Sequence, residues 1–237
     1  MLTLLMALIA LPAGIVLDAL IERLAVPFDD GEDGEEEAPA IVTPFLHGEA
    51  GSLTVERGPE RTWRRRLLVV VATVCLFAMA ANRYEGGQLA VVSLYICALI
   101  ICGATDLLTY RVPNLITYPA IAGAIAAGVF MPGANFLNVL FGGLLAGGVL
   151  LMPAIFTGGA GMGMGDVKLA TFVGLAVGFT LVPPALLFMA LGGGAVAAAL
   201  LMSGLRKRGE PIPYAPFIVI GALVTLLWQG AAFASLT

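Results

Sequence analysis

Long apolar runs separated by short polar connections make up most of the chain, and charged residues occur almost only in the connections. A helix that crosses a bilayer needs about 20 apolar residues, and two uncharged stretches are too long for one crossing. The MPGAN sequence at 131–135 and the Pro183-Pro184 pair divide them, because proline lacks the N–H that a helix needs. The pattern predicts an all-α fold, a polytopic membrane bundle of about eight transmembrane helices.

The composition supports a membrane protein and excludes several other classes. Hydrophobic residues make up 59% of the 237 residues and charged residues only 12%, whereas an average soluble domain carries about 25% charged residues. An ordinary soluble domain and a disordered chain are therefore excluded. The net charge of −4 offers phosphates no basic surface, so the predicted partner is a lipid bilayer and no nucleic acid.

Basic residues are distributed unevenly over the predicted loops. Eleven of the twelve lysines and arginines fall on one side, and Arg83 alone lies on the other. Because cytoplasmic loops carry the excess of basic residues, the rich side is predicted to be cytoplasmic and both termini to face outside. The first run lacks a basic segment and a cleavage site, so it is interpreted as a retained helix. The chain divides into a first transmembrane helix (1–21), a cytoplasmic loop (22–66) and a membrane domain (67–237).

The loop 22–66 is the one large polar piece. Its acidic run at 29–37, DDGEDGEEE, is typical of a solvated and disordered segment, and the loop contains no cysteine. His47 is the only histidine in the chain and has no second ligand near it in sequence. No metal site is predicted.

Two acidic residues occupy unusual places, since Asp106 ends the third apolar run and Asp166 opens the sixth. By the predicted topology both lie at the cytoplasmic membrane boundary, on different helices. Ionisable groups at such depth are functional candidates. Two adjacent carboxylates share a proton, so one can activate a water while the other protonates the carbonyl oxygen of an amide. Two alternatives stay open: Asp106 caps the segment that follows it and Asp166 caps the sixth run, or both relay protons in a transporter.

Small residues crowd the later helices and the sequence before Asp166. Gly161, Gly163 and Gly165 alternate with other residues, and no strand precedes them as a nucleotide-binding loop would require. They are interpreted as letting an extended peptide approach the backbone. The G-x-x-x-G motifs at 143–147 and 174–178 are expected to pack helices within the bundle, with dimerisation as the alternative.

The residues around the two aspartates resemble those of a known family. The GMGDVKLA sequence at 163–170 contains a GxGD motif and resembles the corresponding stretch of the prepilin peptidases, membrane aspartic proteases of type IV pilus and type II secretion systems. Asp106 begins DLLTYRVPN, which is similar to the family's other catalytic segment, an aspartate followed by an aliphatic-Pro pair. Here that pair is Val112-Pro113.

Two further segments extend the resemblance. The sequence PIPYAPFIVIGA at 211–222 is similar to the segment that opens the family's last helix. The first helix fits more loosely, since Gly14 and the Arg-Leu pair at 23–24 match whereas Asp18 and Ala19 depart from the family pattern.

The resemblance implies an endopeptidase that removes the short basic leader from type IV prepilins or pseudopilins at the cytoplasmic face, cutting after a glycine. Asp106 and Asp166 would be the catalytic dyad that activates a water. Gly163, Gly165 and Lys168 would be substrate-binding, with the two glycines shaping the substrate channel. Lys168 would lie close to the dyad, where a cation lowers a carboxylate pKa; its alternative role is snorkelling to the interface.

The loop departs from many bacterial members, which carry two C-x-x-C pairs there and bind zinc. They also methylate the new N-terminus with S-adenosylmethionine. Because 22–66 has no cysteine, zinc is not expected and methylation is left open, while proteolysis needs no cofactor. The acidic run is interpreted as a solvated linker, with attraction of a basic leader as the alternative.

Two rival functions remain at the level of sequence. A proton-coupled transporter would use Asp106 and Asp166 as relay groups, but such sites lie near the bilayer midplane and both aspartates are predicted at one face. A non-catalytic component of the pilus machinery would not need both aspartates.

Overall fold

A computed structural model describes residues 2–25, 59–156, 158, 162–202 and 213–233, and the residues outside these ranges include the acidic run and His47. The described residues form eight α-helices, one single-turn 3₁₀ helix and no strand, so the all-α prediction is confirmed. The helices are α1 (Leu2–Leu24), α2 (Pro59–Ala81), α3 (Gly86–Thr109), α4 (Asn114–Phe130), α5 (Phe136–Phe156), α6 (Met164–Val177), the 3₁₀ helix (Phe179–Leu181), α7 (Val182–Met202) and α8 (Ala215–Trp228).

Four segments in the described part of the chain are long and apolar enough to cross a membrane: Thr3–Leu24, Gly86–Thr109, Phe136–Phe156 and Phe179–Val196. Helices α4 and α8 are apolar but shorter, and α6 has only 14 residues, about 21 Å at 1.5 Å per residue. The structure therefore has the eight helices of a membrane bundle, and a count of eight crossings stays a prediction.

The second helix begins earlier than predicted. Its first residue is Pro59, so the helix begins before the apolar run at 67–81 and the three arginines at 64–66 lie inside it. Proline is well suited to the first turn, where its missing N–H has no intrahelical partner, and arginine is a good helix former. The hydropathy pattern does not predict the helical residues before 67, because it places charged residues in loops.

The early start of α2 brings arginines to a carboxylate on α1. Asp18 is fully buried, and its two carboxylate oxygens accept hydrogen bonds from Nε of Arg65 at 2.8 Å and Nε of Arg66 at 3.1 Å. The two helices pack closely because Gly14 lies against Val70, where an added Cβ would come within 2.8 Å of the Val70 Cα. We call Asp18, Arg65 and Arg66 the α1–α2 ion cluster.

Glycines bring α5 and α6 into backbone contact. A Cβ added at Gly174 would collide with the carbonyl oxygen of Gly142, and one added at Gly143 would lie 2.7 Å from two side-chain atoms of Leu175. Both G-x-x-x-G motifs therefore contribute to packing within the bundle, as predicted. This contact holds the C-terminal half of α6 against α5.

Candidate active site

Asp106 lies in the last turn of α3, which ends three residues later at Thr109. Tyr110 adopts a left-handed conformation with φ 55°, and its N–H donates to the Asp106 carbonyl oxygen at 2.8 Å. A left-handed residue at this position is a common way to end a helix. The chain then turns through Arg111 and Val112 into α4.

The Asp106 side chain is 5% exposed and is bound by the start of another helix. Its Oδ2 accepts a hydrogen bond from the N–H of Ala215, the first residue of α8, at 3.1 Å. Free N–H groups and the helix dipole make a helix N-terminus favourable for a carboxylate. The α8 segment therefore holds this carboxyl group in place at the end of α3.

Asp166 is the third residue of α6, which begins after Gly163. It lies outside the four segments long enough to span the membrane and is more exposed than Asp106. Burial, and then the charge of Asp106, raise the pKa of Asp166 to about 6, while a backbone hydrogen bond from Gly163 opposes the shift. The two carboxyl groups, sixty residues apart in sequence, thus lie close enough to influence each other.

Neither aspartate is a helix cap. The N-cap of α4 is Pro113 and that of α6 is Gly163, and neither helix has a side-chain cap hydrogen bond. Asp106 instead lies inside α3, and Asp166 lies in the first turn of α6. The capping alternative for these two residues was therefore wrong.

The two glycines of the GxGD motif have different surroundings. A Cβ added at Gly165 would lie 3.0 Å from the Val112 Cβ, so this glycine lets α6 approach the turn between α3 and α4. Gly163 is exposed, and the nearest atom to an added Cβ is Asp166 Oδ2 at 3.8 Å. Gly165 therefore has a packing contact, whereas Gly163 is exposed beside the Asp166 carboxyl group. Gly161 lies outside the described residues.

Lys168 points towards α4. Its Nζ donates to Asn114 Oδ1 at 3.0 Å and lies 5.0 Å from the centroid of the Tyr118 ring. Residues two apart on a helix lie on different faces, so the side chains of Lys168 and Asp166 leave α6 in different directions. The contacts that the structure shows for the Lys168 ammonium group are with Asn114 and Tyr118 of α4, and its closeness to the dyad stays a prediction.

No group of three or more metal-ligating side chains occurs among the residues that the structure describes. What the structure assembles is a pair of carboxyl groups from two helices, with a backbone donor from a third. Ala215 was not singled out from the sequence as a site residue, because a backbone N–H leaves no side-chain signal. The nearest signal is the PIPYAPF segment, noted only for its resemblance.

Comparison with known proteins identifies the family. The model of the type IV leader peptidase family matches residues 93–198, which include both aspartates. The prepilin leader peptidase/N-methyltransferase of Bacillus subtilis (strain 168) is 32% identical over 200 residues, covering 80% of this chain and 77% of that protein. The chain belongs to the type IV leader peptidase family.

Other type IV leader peptidases show weaker similarity. The prepilin leader peptidase/N-methyltransferases of Pseudomonas aeruginosa and Burkholderia pseudomallei (strain 1026b) are each 26% identical, over 203 and 166 residues. The alignments cover 67% and 54% of those proteins and 81% and 68% of this chain. The comparison with solved structures gave no match. The family and the apolar helices together make this chain a multi-pass membrane peptidase.

Proposed function

We propose that this peptidase removes the basic leader from type IV prepilins or pseudopilins at the cytoplasmic face, cutting after a glycine with Asp106 and Asp166 as its dyad. The observation that carries the proposal is the placement of Asp106 in the last turn of α3 and Asp166 in the first turn of α6, near enough for the charge of Asp106 to contribute to the raised pKa of Asp166. The names of the relatives support prepilins as the substrate class.

The chemistry follows from one proton shared by two carboxyl groups. The ionised carboxylate takes a proton from a water, which attacks the scissile carbonyl carbon. The protonated carboxyl group donates to the carbonyl oxygen as the tetrahedral intermediate forms. Breakdown of the intermediate breaks the C–N bond and returns a proton to the leaving amine. Water is the nucleophile, so the hydrolysis itself uses no cofactor.

Gly163 is the part of the GxGD motif best suited to substrate approach. It is exposed beside Asp166, and a residue without a side chain leaves room for an extended peptide next to the carboxyl group. Gly165 contributes to the site through its contact with Val112. The predicted topology, with both termini outside, puts this end of the bundle at the cytoplasmic side.

The test is leader removal in cells that co-express the peptidase and a prepilin-like substrate with a basic leader. Wild type is expected to shorten the substrate, while Asp106→Asn and Asp166→Asn leave it uncut although they accumulate in the membrane. Asparagine keeps the shape of the side chain and removes the ionisable group. Cleavage by both variants would refute the dyad.

The names of the relatives also include an N-methyltransferase, and the same assay addresses that activity. Mass spectrometry of the product, with S-adenosylmethionine present, reports whether its new N-terminus gains one methyl group. Proton flux in liposomes distinguishes the transporter alternative, which the peptidase family argues against.

A further inference from the structure

The side chain of Lys168 connects two helices beside the dyad. Its ammonium group donates to Asn114 Oδ1 at 3.0 Å and lies 5.0 Å from the centroid of the Tyr118 ring. Asn114 and Tyr118 are four residues apart on α4, so they share one face of that helix. An ammonium over an aromatic ring is attracted by the ring's quadrupole, and the hydrogen bond to Asn114 adds a directional contact.

A second contact joins the same two helix ends. Gly165 lies against Val112, in the turn that leads into α4. On α6 the two contact positions, 165 and 168, flank Asp166 in sequence. On the other side, the turn through Val112 begins at the end of α3, four residues after Asp106. The position of the Asp166 turn relative to the Asp106 turn is therefore set through the start of α4.

We propose that Lys168, Asn114 and Tyr118 form a latch that fixes the separation of the two catalytic carboxyl groups, so that Lys168 is a positioning residue rather than a substrate contact. This inference rests on the proposed function. The Gly165–Val112 contact limits how closely the two helix ends can approach, and it does not by itself hold α6 against α4. The three latch side chains supply that attraction one turn further along each helix.

Loss of the latch has a specific electrostatic consequence. Repulsion between two carboxylates falls as they move apart, and coupled carboxyl groups titrate as a pair with two separated apparent pKa values. A larger distance between the two carboxyl groups therefore brings the acidic and basic limbs of the pH–rate profile closer together. Other titratable groups on the surrounding elements are Tyr95, Cys97 and Cys102 on α3, Tyr110 and Arg111 in the turn, Tyr118 on α4 and Tyr214 before α8, and they are left unchanged in the Lys168 variants.

The experiment compares wild type, Lys168→Met and Lys168→Arg in detergent-purified full-length protein with a prepilin-like substrate. In Lys168→Met we expect kcat to fall by about tenfold or more, since small misplacements of reacting groups have large effects on rate. We expect KM to change little and the two limbs to approach each other. Lys168→Arg keeps a cation that can reach both partners and restores most of the rate and the limb separation.

A double-variant cycle identifies the partner. If the latch acts as a unit, Lys168→Met combined with Asn114→Leu lowers kcat no further than Lys168→Met alone. Leu115→Ala is the matched control, because Leu115 is 70% exposed, adjacent to Asn114 and outside the latch.

Three results would overturn the latch. A raised KM with unchanged kcat would make Lys168 a substrate contact, and a loss of folded protein with unmoved limbs would make its role structural. Wild-type kinetics in Lys168→Met would remove any role. Failure of wild type to cleave is a separate outcome, and it would refute the proposed function instead.

Discussion

Asp18 and Asp106 are both buried carboxyl groups on apolar helices, yet their surroundings are opposite. Asp18 is bound by two arginines of α2, whereas Asp106 is bound by a backbone N–H of α8 and lies near a second carboxyl group. Among the described residues no ion-pair partner of Asp106 occurs. A carboxylate with nearby cations contributes to helix packing, while two neighbouring carboxyl groups that can share a proton suit acid–base chemistry.

The largest expected difference between the two regions is in catalysis. Asp106→Asn is expected to lower kcat/KM by a factor on the order of 10⁴, as loss of a catalytic group does in other proteases. Asp18→Asn is expected to leave the rate per folded molecule nearly unchanged, because Asp18 makes its contacts with α2 rather than with the dyad. Leader removal normalised to folded protein measures both. Equal losses would contradict a division between structural and catalytic carboxylates.

For stability we expect the reverse: the substitution at Asp18 has the large effect on the free energy of unfolding. Removing one partner of a fully buried ion pair costs 3–5 kcal/mol, and because the arginine side chains here are 16% and 55% exposed, we expect Asp18→Asn to lose about 2 kcal/mol. Thermal unfolding in detergent measures the loss. Arg66→Ala is the milder control because its side chain is the more exposed one. An Asp18→Asn protein as stable as wild type would show that the ion cluster does not hold α1 on α2.

The two regions also differ in how far they could be predicted. The two catalytic candidates stood out because acids are rare at helix ends in an apolar chain. Asp18 was noted only as a departure from a family pattern, since its partners at 65 and 66 were assigned to a loop. The Ala215 donor is a backbone group, and its approach to Asp106 depends on how α8 packs. Local pattern thus located the acids, and tertiary packing decided their partners.

A smaller effect is expected at the GxGD glycines. Gly165→Ala puts a methyl group 3.0 Å from the Val112 Cβ, which displaces the first turn of α6 and lowers kcat by about tenfold. Gly163→Ala puts a methyl group 3.8 Å from Asp166 Oδ2 on the exposed side of the carboxyl group and is expected to raise KM instead. Steady-state kinetics separate the two. A kcat defect confined to Gly163→Ala would reverse these roles.

A further difference between the two regions is a shift in stability with pH at Asp166. Its pKa is raised to about 6 in the folded protein, above the ordinary value near 4 of an unfolded aspartate, so its ionised form destabilises the fold. Stability is therefore lost as the pH rises from about 4 through 6. Asp166→Asn removes the charge, and its unfolding temperature should exceed that of wild type at pH 7 but not at pH 4.

At pH 7 the unfolding temperature of Asp18→Asn should lie below that of wild type, because this variant loses an attraction rather than a repulsion. Thermal unfolding of both variants at the two pH values checks this. An Asp166→Asn protein less stable than wild type at pH 7 would mean that the Asp166 carboxylate is stabilised in the fold.

The central claim is that Asp106 and Asp166 act as one unit, and a double variant tests it most directly. Groups that act together show non-additive losses, so Asp106→Asn/Asp166→Asn should cleave no more slowly than either single variant. The measurement is the rate of leader removal per folded molecule in the three variants and wild type. Equal rates in the single and double variants are the predicted result, and a double variant slowed by the product of the two single effects would contradict the dyad.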